Sequence, residues 1–159
     1  MLRSWFWQRR MQQLREKFRR PDFPLQTALI LTDNPNLPDE VFLKKFSSVT
    51  NVDMAKIEII FVGEETHPRF FDLQPKHIDL QGNIKDQNLR KLFQRPGLLL
   101  LDLMRHDTLF KTLVSVHGSP AFRIGIEKRP DLFDLVIVQP EFSAGEFLVE
   151  LEKYWHSLV

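Results

Sequence analysis

The chain has 159 residues, 43% hydrophobic and 27% charged, which fits one globular domain with its own core and excludes a disordered chain. It has no cysteine, so disulfide frameworks, thiolate metal sites and thiol nucleophiles are excluded and a reducing compartment suits it. The net charge of +1 hides an asymmetry: residues 1–20 hold seven basic side chains against Glu16 alone, and the remainder holds 15 basic and 20 acidic ones.

The segment Leu2 to Arg20 has no proline or glycine and reads as a basic amphipathic helix. Trp7, Met11, Leu14 and Phe18 are spaced 4, 3 and 4 and form one stripe, while Leu2, Trp5 and Phe6 lie on the opposite side. Pro21 and Pro24 end that helix. The expected division is therefore a helix over 1–20, a proline-containing linker over 21–25 and an α/β domain over 26–159.

From Gln26 onward strands and helices alternate. Gln26 to Thr32 predicts a buried strand, Asp39 to Val49 a helix, and Lys56 to Val62 a second strand ending at Gly63. His77 to Leu80 suggests a short strand, and Asn83 a cap for a helix to about Gln94 with Ile84, Leu89, Leu92 and Phe93 inward. Leu98 to Leu103 is a strand whose first four leucines show no alternation and need cover on both faces. Asp107 to Val116 predicts a helix, Phe122 to Ile126 and Leu135 to Val138 predict strands, and Ser143 with Glu146 opens a last helix to about Leu158. The fold expected is α/β: a mainly parallel sheet of five to six strands with helices on both faces.

No stretch reaches the roughly 18 apolar residues that span a bilayer. Gln8, Arg9 and Arg10 also interrupt any signal-peptide core. The chain is expected in the cytoplasm, peripheral at the inner face of the membrane where its helix attaches there.

Ligands of doubly wound sheets bind beyond the carboxyl ends of the strands. Asp33, Asp102, His106 and Asp107 fall there: Asp33 and Asp102 read as paired acids or a cation site, or, more plainly, Asp33 forms an Asx-turn and Asp107 caps a helix. The plainer reading is preferred, leaving Asp33, Asp102 and His106 as a vestigial ligand cleft. No His-x-x-x-His pair, G-x-G-x-x-G or G-x-x-x-x-G-K-[ST] is present, so no metal, cofactor or nucleotide chemistry is expected. Ser115 and Ser119 lack a nucleophile-elbow context.

The N-terminal helix carries the strongest functional signal. Trp5, Phe6 and Trp7 are costly to leave in water, at roughly 1.5–3 kcal/mol for a Phe-sized side chain. Packing back on the sheet accounts for one stripe but not for Leu2, Trp5 and Phe6. The expected contact set is Leu2, Trp5, Phe6, Trp7, Arg9, Arg10, Arg15, Lys17, Arg19 and Arg20, suited to an anionic membrane surface, a membrane-protein complex or a ribosome. The acidic body is not expected to bind nucleic acid sequence-specifically.

The order of features resembles a family of small uncharacterised proteins, a domain of unknown function found mainly in Bacteroidota. The likeness rests on the basic helix, Ile30-Leu31-Thr32-Asp33, Pro96 to Asp102, Ala121 to Gly125 and Phe133 to Ile137, and covers nearly the whole chain. Leu98 to Gly125 is also similar to the sugar-nucleotide half of heptosyltransferase-type glycosyltransferases, although Met104 to Asp107 lacks their glycine-containing donor-site signature. The resemblance implies the fold and an eroded active site. The leading expectation is a non-catalytic adaptor or accessory subunit tethered by its N-terminal helix to a membrane surface or membrane-protein complex. A ribosome- or RNA-associated factor and a degenerate sugar-nucleotide transferase are the alternatives.

Overall fold

A computed structural model describes residues 2–15, 24–127 and 132–158. Its elements run α1 (Leu2–Arg15), β1 (Thr27–Thr32), α2 (Glu40–Thr50), β2 (Ile57–Val62), β3 (Phe71–Leu73), α3 (Gln87–Phe93), β4 (Leu98–Asp102), α4 (Leu109–Ser115), β5 (Phe122–Gly125), β6 (Leu135–Val136) and α5 (Ala144–Leu158). The six strands form one parallel sheet in the order β3-β2-β1-β4-β5-β6. The fold is thus α/β with a six-stranded parallel sheet and an N-terminal helix in place. This strand order is that of doubly wound dinucleotide-binding sheets, which leave a crevice beyond the carboxyl ends of β1 and β4. A shared order fixes where a site can lie, not what it does.

The four leucines of β4 divide between two cores. Leu98 and Leu100 join a cluster with Trp7 and Leu14 of α1, Leu89 and Phe93 of α3, and Phe110, Leu113 and Val114 of α4. Leu99 and Leu101 join Phe42 and Phe46 of α2 and Phe147, Leu151 and Trp155 of α5. Helices therefore cover both faces, which is why β4 could dispense with polar alternation. The edge strands β3 and β6 have only three and two residues, which limits pairing with other chains.

Several local expectations are corrected. The third strand is Phe71–Leu73, not His77 to Leu80, because Pro75 opens a 3-10 turn, Pro75–His77, and Ile78 makes just an isolated antiparallel bridge to Ile84. Helix α3 is capped by Asp86, whose carboxylate accepts from the Asn88 and Leu89 amides, so Ile84 is buried ahead of the helix and Asn83 is not its cap. Helix α4 is capped by Thr108 and not Asp107, since the Thr108 hydroxyl accepts from the Lys111 amide. The turn after β1 uses the side chain of Asn34, not Asp33, to accept from the Asn36 amide. Residues 16–23, which include Lys17, Phe18, Arg19, Arg20 and Pro21, lie outside the described residues, as does the side chain of Arg15.

Leu100 and Leu101 are fully buried on opposite faces. Leu100→Ala and Leu101→Ala should each lower stability by about 2–5 kcal/mol in urea denaturation. A denaturation midpoint unchanged by either would place β4 outside the core.

Candidate functional site

The structure divides α1 into separate faces. Trp7 is buried, donates from Nε1 to the Asp79 carbonyl at 2.8 Å and lies 6.1 Å from the Phe110 ring. Arg3 donates to the carbonyls of Pro75 (2.6 Å) and Ile78 (3.2 Å), and its guanidinium lies 4.5 Å from the Trp7 ring centre. Trp7, expected among the contact residues, therefore belongs to the core, because it is buried and its indole N–H is used within the domain. Leu2 and Trp5 stay 65% and 51% exposed. Phe6 is half-buried and meets Trp5 edge-on at 4.9 Å, and Arg9 lies over the Trp5 ring at 5.6 Å. Leu2, Trp5, Phe6 and Arg9 thus form one outward cluster, while Arg10 is half-buried and turned elsewhere.

Beyond the carboxyl ends of β1 and β2 lies a cavity of about 450 Å³, bordered by Asp33, Phe61, Glu64, Glu65, Phe110 and Lys111. Lys111 Nζ bridges Asp33 Oδ2 at 2.9 Å and Asp107 Oδ1 at 3.1 Å, and the Arg105 amide adds a 3.2 Å bond to Asp33. Burial opposes the Lys111 charge, but its hydrogen bonds to Asp33 and Asp107 outweigh burial and raise its pKa. Three carboxylates and one cation already shared between two acids make this crevice a poor seat for phosphate.

Asp102 and His106 do not open onto that crevice; both are buried. Asp102 Oδ1 accepts from the Met104 amide at 2.8 Å, and its Oδ2 accepts from Ser115 Oγ at 2.5 Å and meets His106 Nε2 at 2.7 Å. The residue types match a hydrolase triad but the wiring does not. In a triad the serine hydroxyl bonds the imidazole, whereas here serine and imidazole both meet the carboxylate, and Ser115 is fully buried. Asp33 and Asp102 are therefore each committed to separate partners and do not form an open acid pair.

Arg123, also buried, donates to the carbonyls of Ser115, Val116 (3.3 Å) and His117 (3.0 Å) that end α4. Burial lowers its pKa to about 9, with Asp102 and Asp134 opposing, so it stays charged at neutral pH. Burial likewise lowers His117 to about 4, helped by the Arg10 and Arg123 cations and opposed by the Gly82 backbone and Asp79. Among the described residues no three His, Asp or Glu side chains are placed to hold a metal ion. Nor is any described helix long and apolar enough to cross a membrane.

A family of unknown function, DUF6913, matches residues 3–158. The chain belongs to that family. No curated protein and no solved structure matches it. The DUF6913 match begins within α1, so it takes in the helix together with the sheet. Sequence reading missed Lys111 and Arg123 and set Ser115 and His117 aside. Two signals were present: Asp107 and Lys111 stand four apart across the start of α4, and Arg123 interrupts the apolar run of β5.

Asp102→Asn should cost about 2–4 kcal/mol in urea denaturation, because Ser115 and His106 lose a shared carboxylate in a buried site. A midpoint unchanged by that substitution would mean the cluster is not structural. Stability should also depend on His117. Its folded pKa of about 4 is below the unfolded value near 6.5, so between these the unfolded chain binds the extra proton and stability falls as pH falls. The loss through the window is roughly 3 kcal/mol. Urea curves at several pH values should show a shallower slope in His117→Gln, and an identical slope would refute the assignment.

Proposed function

We propose that this DUF6913 protein is a non-catalytic accessory subunit that docks through the outward face of α1 into a cleft of a partner protein, such as a membrane-protein complex at the inner face of the membrane. The observation that carries this reading is the Leu2, Trp5, Phe6 and Arg9 cluster, held outward on a helix whose other stripe is anchored in the core. Aromatic and arginine side chains dominate the energetics of protein interfaces, most of all when preorganised. After Phe6 the exposed positions of α1 among the described residues are Gln8, Arg9, Gln12 and Gln13. Among the described residues the apolar patch is therefore short, which supports a plug and not a helix lying along lipid. The non-catalytic part of the reading is supported by the paired Asp33 and by the buried Asp102, His106 and Ser115.

A second reading, a degenerate sugar-nucleotide transferase related to the heptosyltransferase type, is favoured by the strand order and the crevice at its switch point. The acids lining that crevice argue against a diphosphate there. UDP-glucose should show no micromolar binding by calorimetry; such binding, lost in Lys111→Ala, would establish the transferase reading instead.

Docking is tested with a photo-crosslinking benzoylphenylalanine placed at Leu2 in the full-length chain in cells. One discrete protein adduct is expected, lost in Trp5→Ala with Phe6→Ala and kept in Tyr154→Ala, a control at an exposed aromatic of α5. An adduct indifferent to Trp5 and Phe6 would overturn the proposal. So would sedimentation of the purified chain with anionic liposomes or RNA without a protein adduct.

A further inference from the structure

A second cavity, of about 610 Å³, lies between α1, α3 and the segment after α4. Arg10, Lys85, Arg90 and His117 line its polar side, and Leu14, Ile84 and Phe93 line its apolar side. Asp79 is the one acidic residue among the described lining residues, and its carboxylate already accepts from the Gln81 and Asn83 amides at 2.9 Å each. Among the described residues Arg10, Lys85 and Arg90 pair with no carboxylate. Two buried nitrogens at its walls, Arg10 Nε and His117 Nε2, also have no hydrogen-bond partner. His117 itself is just 8% exposed.

Three cations lining one cavity against the single carboxylate of Asp79 leave a net positive charge among the described lining residues, which favours an anion between them. The carbonyls that end α4, which would repel an anion, are already occupied by Arg123. The cavity is also shaped by two glycines with positive φ. A side chain at Gly118 (φ +76°) would collide with the Phe93 carbonyl, and one at Gly82 (φ +86°) would press on the Arg10 side chain at 3.0 Å. The close approach of α1 to the turn at Gly82, and hence the position of Arg10, depends on that missing Cβ.

We propose that this cavity binds a small organic phosphate, its phosphate among Arg10, Lys85 and Arg90 and its apolar portion against Leu14, Ile84 and Phe93, and that binding clamps α1 onto the domain. A phosphate monoester carries close to two negative charges at neutral pH, which matches the three cations better than a single carboxylate does. Guanidinium groups take its oxygens in pairs, and the volume is within the usual range for small-ligand sites. The inference stands independently of the docking reading: it needs α1 as a wall, not its outward face.

The test uses the full-length chain with phenyl phosphate and inorganic phosphate in calorimetry and NMR. Phenyl phosphate should bind at least about tenfold tighter than inorganic phosphate, because its ring buries against Phe93 and Ile84. Arg90→Gln and Lys85→Gln, both exposed positions, should each weaken binding by about tenfold or more while leaving the melting temperature of the unliganded chain unchanged. On saturation, amide exchange in α1 should slow, and the His117 titration should move up from about 4 as the anion favours the imidazolium. Absence of binding by either probe up to about 10 mM would overturn the site. Binding indifferent to both Arg90→Gln and Lys85→Gln would overturn it too, and binding without slower exchange in α1 would overturn the clamp.

Discussion

Burial of β4 from both sides is the constraint from which the rest of the molecule follows. Leu98 and Leu100 need a roof on one face, and Leu99 and Leu101 need one on the other. On the second face α2 and α5, with 11 and 15 residues, suffice. On the first, α3 and α4 have seven residues each, or about 10 Å of helix apiece, against strands of about 17–20 Å. Helix α1 supplies the missing cover through Trp7 and Leu14 and contacts α4. It is part of the domain's own core before it is anything else.

That role organises the other residues of α1. With Trp7 and Leu14 inward, the 3.6-residue period sends Leu2, Trp5 and Arg9 outward and Arg10 sideways toward α3. The inward bonds of Arg3 and Trp7 to the segment Pro75 to Asp79 fix rotation as well as position. The outward cluster is therefore presented on a rigid support, and a partner that receives it has little conformational entropy to remove from this side. An unanchored basic peptide of the same composition would present the same side chains without that advantage.

Much of this was legible in the sequence, for identifiable reasons. Every strand from β1 to β6 except β3 was foreseen to within one or two residues at its ends, because continuous apolar runs bounded by proline, glycine or aspartate have few other solutions. The two stripes of α1 could be read from spacing alone, including the one that stays exposed. β3 was missed because three residues with Asp72 at their centre carry no periodic signal. The caps of α3 and α4 were misplaced by one to three residues because Asn83, Asp86, Asp107 and Thr108 are all competent caps and only local geometry chooses between them. Within the candidate crevice Asp33 was found, but its partner Lys111 lies 78 positions away. No local pattern reports a pairing of that range.

The same blindness to range hid the electrical layout of the domain. Doubly wound sheets usually receive anions at the carboxyl ends of their strands, beside helix N-termini. Here that end carries Asp33, Glu64 and Glu65, while an excess of cations over the single acid Asp79 gathers around Gln94 and Ser119, on segments that lead into the amino ends of β4 and β5. Net charge conceals this, since each cluster is assembled from residues scattered over the chain. The separation bears on α1 because, among the described residues, Arg10 is the cation that α1 contributes to the second cluster. Whatever neutralises that cluster acts directly on the seating of the helix, and so on the firmness with which Leu2, Trp5 and Phe6 are displayed. Charge at one end of the sheet and apolar display on α1 are thereby joined through a single helix, with Trp7 and Leu14 as the fixed point between them.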